Sequence, residues 1–496
     1  MLKQLLARKT DFSNVDEGDG PGLKRTLGPW GLTALGIGAV IGGGIFVITG
    51  QAAAEHAGPA IILSFVIAAI CCSFTALCYA EFATLIPMSG SSYSYAYATL
   101  GELMAWFIGW NMVLEYGVSA SAVAVSWTGY FTSLLDNISQ LFAKLGIPIR
   151  LHLPDVLTNA PLAYTNGHLV TTGALFNLPA VAIVLGLTWL CYVGIKESSG
   201  ANLAMVILKV GLIVIVIVAG WNYVNPDYWH PFIPASQGPE KYGWPGIMRA
   251  ATLVFFAYIG FEATSTAAQE AKNPQRDLPI ATLASLAICT VLYIGIAAVI
   301  TGLLPFDQLG TSEPVVTAVK AHAELGWLRW LVEVGALIGL SSVVLVMIIA
   351  QPRIFMIMGR DGLLPPVFAK IHPRYHTPHI NTVITGLGIA ALAAVFPLDI
   401  LGDLVSMGTL IAFVAVCAGV LILRHTQPDL PRTFRVPWAP VTCVLGVLSC
   451  LALLYWENWY QWLLLAIWTV LGMAIYFGYG RRHSRLRLQS VKTAES

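Results

Sequence analysis

The sequence has 496 residues, of which 57% are hydrophobic and only 11% are charged, and its formal net charge is +1. Soluble domains carry about 25% charged residues on average, so this chain has too few charges to cover a soluble globule. We therefore interpret it as an integral membrane protein with the lipid bilayer as its solvent. The nearly neutral charge argues against a nucleic-acid partner.

Twelve apolar runs are long enough to cross about 30 Å of hydrocarbon, for which a helix needs about 20 residues. We number them segments 1 to 12 in chain order. Their ranges are 29–54, 59–86, 102–130, 178–195, 201–223, 246–270, 279–304, 328–358, 380–397, 400–423, 438–456 and 459–480. The sequence thus predicts an all-α membrane protein with twelve transmembrane helices.

The basic residues predict the orientation of these helices. Most of the 27 lysine and arginine residues fall at the ends and loops that lie on the same side as the N-terminus. By the positive-inside rule this side is cytoplasmic, and the even number of segments puts both termini there. Residues 1–28 are then a cytoplasmic segment, and 481–496 are a basic cytoplasmic tail.

Two connecting regions have some character of their own. Residues 87–101, "PMSGSSYSYAYATLG", begin in a turn and continue as an amphipathic helix, whose Tyr93, Tyr95 and Tyr97 suit the membrane interface. The longest loop, 131–177, is polar and has no strong period.

No residue cluster predicts a cofactor, a metal or catalysis. The eight cysteines lie almost entirely within apolar runs, and their spacing matches neither a disulfide framework nor a zinc site. We interpret them as small packing residues. The histidines of "HPRYHTPH" (372–379) lie in a basic loop without a zinc pattern. We therefore expect no cofactor, no metal ion and no enzymatic activity.

Segment 1 contains "GIGAVIGGGIF" (36–46), with three adjacent glycines about twelve residues after Trp30. Glycine weakens a helix interior by roughly 1 kcal/mol relative to alanine. Segment 6 has a second weak point at "YIGFEAT" (258–264), where a glycine precedes Glu262. Matching interruptions in two halves of a chain are typical of inverted-repeat transporters and indicate a binding site at the bilayer midplane.

The glycines of segment 1 have an alternative explanation, because Gly38 and Gly42 fit the small-xxx-small pattern of close helix packing. The matching weak point in segment 6 favours interruption. Segments 1–5 (29–223) and 6–10 (246–423) would then form two inverted repeats of five helices with broken helices 1 and 6. Segments 11 and 12 (438–480) would be appended to this transport core.

An interrupted helix leaves backbone N–H and C=O groups that lipid cannot satisfy. The second half of segment 1 begins near Gly43, so its first N–H groups and its positive dipole end favour an anion. We predict that a carboxylate binds at Gly42, Gly43 and Gly44. An ammonium group would bind the carbonyls of Ile41 and of the end of the first half of segment 6, at Phe256, Ala257 and Ile259. A small zwitterion such as an α-amino acid fits both requirements.

The motifs "GIGAVIGGGIFVITG", "GELMAWFIGWNMVLEY", "FFAYIGFEATSTAAQEAKNPQRDLPIA" and "RIFMIMGRDGLLP" together resemble the amino acid–polyamine–organocation superfamily. The sequence is most similar to the bacterial branch of its cationic amino acid transporter family, over nearly the whole chain. The resemblance implies an amino acid permease of the five-plus-five fold. Many relatives have aspartate where this chain has Glu262.

Three ionisable residues lie deep within apolar segments, where such groups are costly and are candidates for function. Glu115 lies in segment 3, Lys209 in segment 5 and Glu262 at the break in segment 6. We predict that all three take part in proton coupling. The alternatives are that Lys209 extends along its stem to the cytoplasmic surface, and that the glutamates form a static buried pair or are hydrogen-bonded carboxyl groups.

The resemblance implies roles for Lys209 and Met347. In proton-coupled relatives a lysine of helix 5 faces the contact between helices 1 and 8, where sodium-coupled members bind an ion, and Lys209 matches that lysine. Ser341 and Ser342 of segment 8 keep sodium coupling open. Met347 matches a residue of the side-chain pocket, where its bulk would favour small or medium substrates. Phe256 is a candidate lid.

These observations predict a secondary active permease of the bacterial inner membrane. It would take up a small or medium L-amino acid together with protons, by alternating access. A cationic amino acid transporter or exchanger and a sodium-coupled symporter remain alternatives. A channel would need a repeated pore motif and a membrane enzyme a catalytic constellation, and the sequence has neither. Substrate identity, oligomeric state and any accessory subunit are not predicted.

Overall fold

The computed structural model describes residues 7–8, 27–86, 91–165, 168–193, 199–268, 271–375 and 377–488. Most of the predicted N-terminal segment and the last part of the basic tail lie outside these residues. The same is true of 87–90 in the predicted turn and of His376 in the histidine-containing loop.

Nine apolar segments each form one continuous α-helix. In chain order, for segments 2, 4, 5 and 7 to 12, these helices are Ile61–Leu85, Leu178–Val193, Ser199–Trp221, Pro274–Leu303, Gly326–Arg360, His379–Val395, Leu398–Thr426, Ala439–Tyr455 and Trp459–Ile475. The last one continues through a π-helical turn, Tyr476–Gly480, into Arg481–His483.

Segments 1, 3 and 6 are irregular. Segment 1 consists of Pro29–Val40, a gap, and a second half of alternating π and α turns, Gly44–Ile48, Thr49–Ala52 and Ala53–Ala57. Segment 3 consists of Glu102–Val113 and Ser119–Lys144, joined by the π turn Leu114–Val118. Segment 6 consists of Gly243–Phe255, the 3₁₀ turn Phe256–Tyr258 and the short helix Ala263–Thr266. Short helices Ser91–Thr99 and Pro314–Lys320 lie in connections.

Seven helices in the described part of the chain are long and apolar enough to cross a membrane, and four more are apolar but shorter. The shorter ones are Pro29–Val40, Leu178–Val193, His379–Val395 and Ala439–Tyr455. A predominantly helical membrane protein is therefore confirmed, whereas the count of twelve crossings stays a prediction.

Helices five segments apart lie against each other. The helix of segment 2 packs on that of segment 7, the second half of segment 3 packs on segment 8, and segment 4 packs on segment 9. The two halves of segment 1 contact the two halves of segment 6. Segment 11 packs against segments 10 and 2.

The outer helices expose apolar side chains, as a bilayer requires. Trp189 of segment 4, Ile207 and Val218 of segment 5, and Val470 of segment 12 are each more than 60% exposed. Charged residues on the same helices are absent from these faces or buried, and Lys209 is completely buried. Lipid is therefore the solvent for this surface.

Two expectations about the connections were incomplete or wrong. The long loop holds a small antiparallel hairpin, β1 (Leu162–Thr165) and β2 (His168–Thr171), so the chain is not entirely helical. The predicted helix after segment 2 exists, but Tyr93, Tyr95 and Tyr97 are at most 2% exposed rather than interfacial. The hydroxyl groups explain this for two of them, because Tyr93 donates to Asp361 and Tyr97 donates to Glu102.

Candidate functional site

The interruption of segment 1 lies where the glycines predict it. The first helix ends at Val40, and Ile41 is extended, with φ −74° and ψ 97°. Helical structure resumes at Gly44 with a π turn. The last carbonyl groups of the first half and the first N–H groups of the second half therefore lack partners within their own helices.

Segment 6 is interrupted at the predicted stretch as well. Its regular helix ends at Phe255, and after the 3₁₀ turn Ile259 is extended with ψ 132°. Gly260 has φ +118°, a conformation that side chains with Cβ rarely adopt. A Cβ atom on Gly260 would lie 2.9 Å from the carbonyl carbon of Ala39, so the two interruptions contact each other here.

The three adjacent glycines face three different neighbours. A Cβ atom on Gly44 would lie 2.3 Å from the Cβ of Ala257, so this glycine permits close contact between segments 1 and 6. A Cβ atom on Gly43 would lie 2.8 Å from the hydroxyl of Ser126 in segment 3. Gly42 faces Val123 of segment 3 and Val343 of segment 8. Among the three, only Gly42 has room for a Cβ atom, whose nearest neighbour would lie at 3.4 Å.

Lys209 lies at the carbonyl end of the first half of segment 1. Its Nζ atom donates to the carbonyl of Gly38 at 2.9 Å and to that of Ile41 at 3.3 Å. Its aliphatic stem lies 3.4 Å from where a Cβ on Gly339 of segment 8 would be. The side chain therefore sits between segments 1, 5 and 8, and it does not extend to the surface.

Tyr293 of segment 7 connects the two interruptions. Its hydroxyl lies 3.0 Å from the carbonyl oxygen of Val40 and 2.7 Å from that of Ala257. The single hydroxyl hydrogen is shared between the two oxygens, because a hydroxyl donates only one hydrogen bond. The carbonyls that we expected to bind an ammonium group at Ile41 and Ala257 thus already have protein donors in this structure.

Sequence reasoning missed three residues beside the interruptions: Ser126, Tyr130 and Tyr293. Tyr130 donates to the carbonyl of Phe46 at 2.6 Å, in the second half of segment 1. Both tyrosines are completely buried in apolar segments. A buried tyrosine usually needs a hydrogen-bond partner, and this was the signal in the sequence that pointed to them.

Glu115 and Glu262 lie close to one another and are completely buried. One oxygen of Glu262 accepts from the amide of Gly260 at 3.0 Å, within the interruption of segment 6. The other three carboxyl oxygens have no hydrogen-bond partner among the described residues. The structure therefore brings together two of the residues predicted for proton coupling, and it holds Lys209 separately on segment 1.

The remaining predicted site residues are buried in the core. Met347 is 1% exposed and Phe256 is 4% exposed. Phe256 begins the 3₁₀ turn of segment 6, and Ile259 is its extended residue. Ser341 accepts from the indole of Trp127 at 3.0 Å and Ser342 donates to the carbonyl of Gly339. In the described residues, no group of three or more His, Cys, Asp or Glu side chains could hold a metal ion.

A cavity of about 390 Å³ opens beside the second half of segment 1. Val47, Gln51 and Ser126 line it, and Asp399 lies at the start of segment 10 on its wall. Because Ser126 also faces Gly43, the cavity reaches the neighbourhood of the interruption. It is large enough for a solute of amino acid size.

Residues 27–478 match the model of a family described as amino acid permease. The chain is 46% identical over 464 residues to the branched-chain amino acid permease BcaP of Bacillus subtilis, covering 94% of this chain and 95% of the relative. It is 44% identical to the methylthioribose transporter of the same organism, with the same coverage. It is 36% identical to the vacuolar cationic amino acid transporter 4 of Arabidopsis thaliana, covering 86% of this chain and 68% of the relative.

The family match and the names of the three relatives are consistent with the interrupted helices and the apolar outer surface described above. All three relatives carry the names of transporters, which supports transport rather than catalysis as the activity. The chain therefore belongs to the amino acid permease family, within the amino acid–polyamine–organocation superfamily.

Proposed function

We propose that this protein is a secondary active permease of the bacterial inner membrane that takes up medium-sized neutral L-amino acids, of the branched-chain type, together with protons. It works by alternating access. The single observation that carries the proposal is the meeting of the two interrupted segments, where Gly260 lies against Ala39 and Tyr293 bridges the carbonyls of Val40 and Ala257.

The contacts between helices support the architecture that the proposal needs. Pairs of segments separated by five, such as 2 with 7 and 3 with 8, pack on each other. Such pairing is expected when two five-helix repeats are related by an axis in the membrane plane. The transport core would then span 29–423, with segments 11 and 12 appended and both termini in the cytoplasm.

Backbone groups at the interruptions would bind the charged ends of the substrate. The N–H groups at Gly42, Gly43 and Gly44 favour a carboxylate, because a helix begins there. The ammonium group would compete with Tyr293 for the carbonyl of Ala257. This exchange of hydrogen bonds links substrate binding to the contact between segments 1 and 6.

The neighbours of the glycines support an apolar substrate side chain. Gly42 faces Val123 and Val343, and Met347 lies one helical turn after Val343 on segment 8. Two relatives with 46% and 33% identity are named branched-chain amino acid permeases. Aliphatic lining of this kind favours valine, leucine and isoleucine over charged side chains, because no cation or anion balances a charge there.

Lys209 supports proton coupling rather than sodium coupling. Its ammonium contacts the carbonyls of Gly38 and Ile41, which are the kind of ligands that a sodium ion would need at an interrupted helix. Loss of a proton from Lys209 would weaken these hydrogen bonds, because a neutral amine is a poorer donor than an ammonium group, and would loosen the first half of segment 1. Glu115 and Glu262 supply a second proton-exchange site at the interruption of segment 6.

Two other substrate classes follow from the relatives. Methylthioribose carries no carboxylate and no ammonium group, so it would leave the backbone groups at both interruptions without charged partners. Cationic amino acids would need a carboxylate in the side-chain pocket, whereas the side chains that face Gly42 are the aliphatic Val123 and Val343. Both classes are therefore less well supported than branched-chain amino acids.

Uptake into proteoliposomes tests the proposal. We expect purified protein to accumulate labelled leucine when the lumen is alkaline relative to the outside, and to do so without sodium. Unlabelled valine and isoleucine should compete, whereas arginine and methylthioribose should not. Sodium-dependent uptake that ignores the pH gradient would contradict proton coupling, and competition by methylthioribose alone would contradict an amino acid substrate.

A further inference from the structure

Two pairs of cysteines face each other across the interface between segments 2 and 11. The Sγ atoms of Cys71 and Cys450 are 3.6 Å apart, and those of Cys78 and Cys443 are also 3.6 Å apart. We propose that these pairs are a redox modification site, at which reversible disulfide bonds fasten segment 2 to segment 11 and arrest transport.

The register of the two helices brings the pairs together. Cys71 and Cys78 are seven residues apart, as are Cys443 and Cys450. Seven residues make about two turns of an α-helix, so each helix carries its two thiols on one stripe. Cys71, the first cysteine of segment 2, meets Cys450, the second of segment 11, and Cys78 meets Cys443. Antiparallel helices require this order of pairing.

Close packing alone does not explain this arrangement. Segment 2 also uses Ala68, Ala69 and Ala76 as small buried residues, and alanine fills such positions without a reactive group. Instead, two separate pairs of thiols occupy facing positions on the two helices. A fifth cysteine, Cys417 of segment 10, lies beside them, because a Cβ on Gly446 would be 2.7 Å from its Sγ atom.

The thiols are close enough for bond formation after a small movement. A disulfide bond is about 2.05 Å long, so the sulfur atoms of each pair must approach by roughly 1.5 Å. Rotation about the Cα–Cβ bonds moves a sulfur by this amount. Residues that separate the pairs along segment 2 have no need to move.

The reaction requires a two-electron oxidant that dissolves in lipid, and a quinone is such an oxidant. Two thiols lose two protons and two electrons and form one S–S bond. The quinone takes up the two protons and the two electrons and becomes a quinol. The four thiols are at most 1% exposed within the chain. They are one helix away from lipid, since Val444, Leu448 and Leu451 on the other side of segment 11 are each more than 45% exposed.

The bond would join two groups of helices. Segment 2 packs most extensively on segment 7 and on the first half of segment 6, whereas segment 11 packs most extensively on segment 10; smaller contacts join segment 2 to segment 10 and segment 11 to the first half of segment 6. Alternating access requires one group of helices to move against another. A covalent bond between segments 2 and 11 would prevent this movement, a consequence that rests on the proposed transport function.

Oxidation of the reconstituted protein tests the site. Proteoliposomes are treated with iodine, a lipid-soluble two-electron oxidant, and the protein is digested without reduction. We expect peptides linked through Cys71 and Cys450, and through Cys78 and Cys443. Leucine uptake should fall in proportion to the fraction of linked chains, and dithiothreitol should restore both the free peptides and the uptake.

Two variants with the same number of cysteines provide the comparison. Cys71→Ala/Cys78→Ala removes one member of each pair, and it should transport normally and resist iodine. Cys191→Ala/Cys289→Ala leaves both pairs intact, and it should lose uptake as the unmodified chain does. Both variants are compared by size-exclusion chromatography to establish that they fold.

The mass measurement does not depend on transport. Failure to recover either linked peptide would overturn the redox site, whatever the uptake. Linked peptides with unchanged uptake would overturn the arrest of transport by the bond. A chain that forms the linked peptides but never transports an amino acid in its reduced state would contradict the proposed function and leave the site intact.

Discussion

The Nζ atom of Lys209 lies 2.9 Å from the carbonyl oxygen of Gly38, and it also donates to Ile41. A lysine of segment 5 thus provides hydrogen bonds to the carbonyl end at which the first half of segment 1 stops. Those carbonyls have lost their helical partners because of the interruption. The protonation of Lys209 and the conformation of segment 1 are therefore linked through two hydrogen bonds.

Replacement of this ammonium should uncouple transport from protons. In Lys209→Met we expect the ratio of leucine inside to leucine outside to fall to one, because no proton exchanges at the interruption of segment 1 and the conformation of that segment is no longer linked to protonation. Exchange of labelled for unlabelled leucine, which needs no net proton movement, should continue. The measurement is uptake into proteoliposomes with and without a pH gradient.

A second lysine provides the control for this variant. Lys320 lies in a connecting helix and is 4.0 Å from Glu313, so Lys320→Met should accumulate leucine as the unmodified chain does. If Lys209→Met also accumulated leucine against its gradient, the role of Lys209 in coupling would be wrong.

Loss of the Tyr293 hydroxyl should remove the group that competes with the substrate ammonium for the carbonyl of Ala257. Tyr293→Phe leaves the carbonyls of Val40 and Ala257 without their shared donor, at a cost of about 1–3 kcal/mol for a buried group. We expect a lower melting temperature and a several-fold lower KM for leucine, since the ammonium group no longer has to displace a hydroxyl from the carbonyl of Ala257.

Tyr258→Phe is the matched control. Its ring lies 5.3 Å from that of Tyr293, and its hydroxyl donates at 3.0 Å to Phe65 in the continuous helix of segment 2. It should lower the melting temperature to a similar degree but leave the KM unchanged. Equal effects of both variants on the KM would show that the hydroxyl at the interruptions has no special role.

The contact between segments 1 and 6 should not tolerate a methyl group. In Gly44→Ala the new Cβ would lie 2.3 Å from the Cβ of Ala257, so the backbone must shift. Overpacking of this kind costs about 1–3 kcal/mol. We expect lower thermal stability and little uptake.

Gly388→Ala in segment 9 is the control, because the same substitution is not expected to reduce stability or uptake there. Nothing lies within 4 Å of its Cβ position, and alanine is favoured over glycine in a helix by roughly 1 kcal/mol. Stability should be equal or higher and uptake unchanged. Normal uptake by Gly44→Ala would exclude a tight contact between the interrupted segments during transport.

Arg249 lies in the helix of segment 6 that precedes the interruption, and it links this helix to two other elements. It donates to Asp403 of segment 10 at 2.7 Å and to Glu457, between segments 11 and 12, at 2.9 Å. All three side chains are at most 4% exposed. Arg249→Met should therefore destabilise the protein by about 3–5 kcal/mol, because it leaves two buried carboxylates without a cation.

Thermal unfolding in detergent measures this effect. The triple variant Arg249→Met/Asp403→Leu/Glu457→Met should recover much of the lost stability, since apolar side chains can replace a buried ion cluster at little cost. Lys320→Met, which removes a partly exposed pair, should change stability by less than about 1 kcal/mol. Arg249→Met with unchanged stability would contradict this account.

The size of the side chain at Met347 should affect substrate selection. Met347→Ala removes most of a completely buried side chain next to the proposed pocket. Larger substrates such as phenylalanine should then compete with leucine better than they do in the unmodified chain. Met356→Ala on the same helix, where the side chain is partly exposed, should leave the order of competing amino acids unchanged.

The glycines of segment 1 and the "YIGFEAT" stretch were sufficient to predict where both segments are interrupted. Helix propensity is a local property, and Gly42, Gly43 and Gly260 act through their own backbone. The burial of Lys209 and its position between segments 1, 5 and 8 agree with the position implied by the family resemblance. The roles of Lys209 and of these glycines in transport stay predictions.

Hydrogen bonds between distant segments could not be predicted in the same way. Tyr293 reaches Val40 from 253 residues away, and one more or one fewer residue in segment 7 would turn its hydroxyl elsewhere. Tyr93 of Ser91–Thr99 looked interfacial because nothing local indicates that Asp361, 268 residues away, accepts from its hydroxyl. Such pairings depend on tertiary packing, on which local sequence has no bearing.

The bridge from Tyr293 to segments 1 and 6 has a consequence for biosynthesis. When the ribosome has made only the first six segments, the residue that joins their interruptions has not yet been synthesised. Until segment 7 inserts, the carbonyls of Val40 and Ala257 must be satisfied by water or by other insertion partners, because lipid cannot do so. Nascent chains that end before Tyr293 should therefore lack the site. The site is assembled only after segment 7 has been synthesised and inserted.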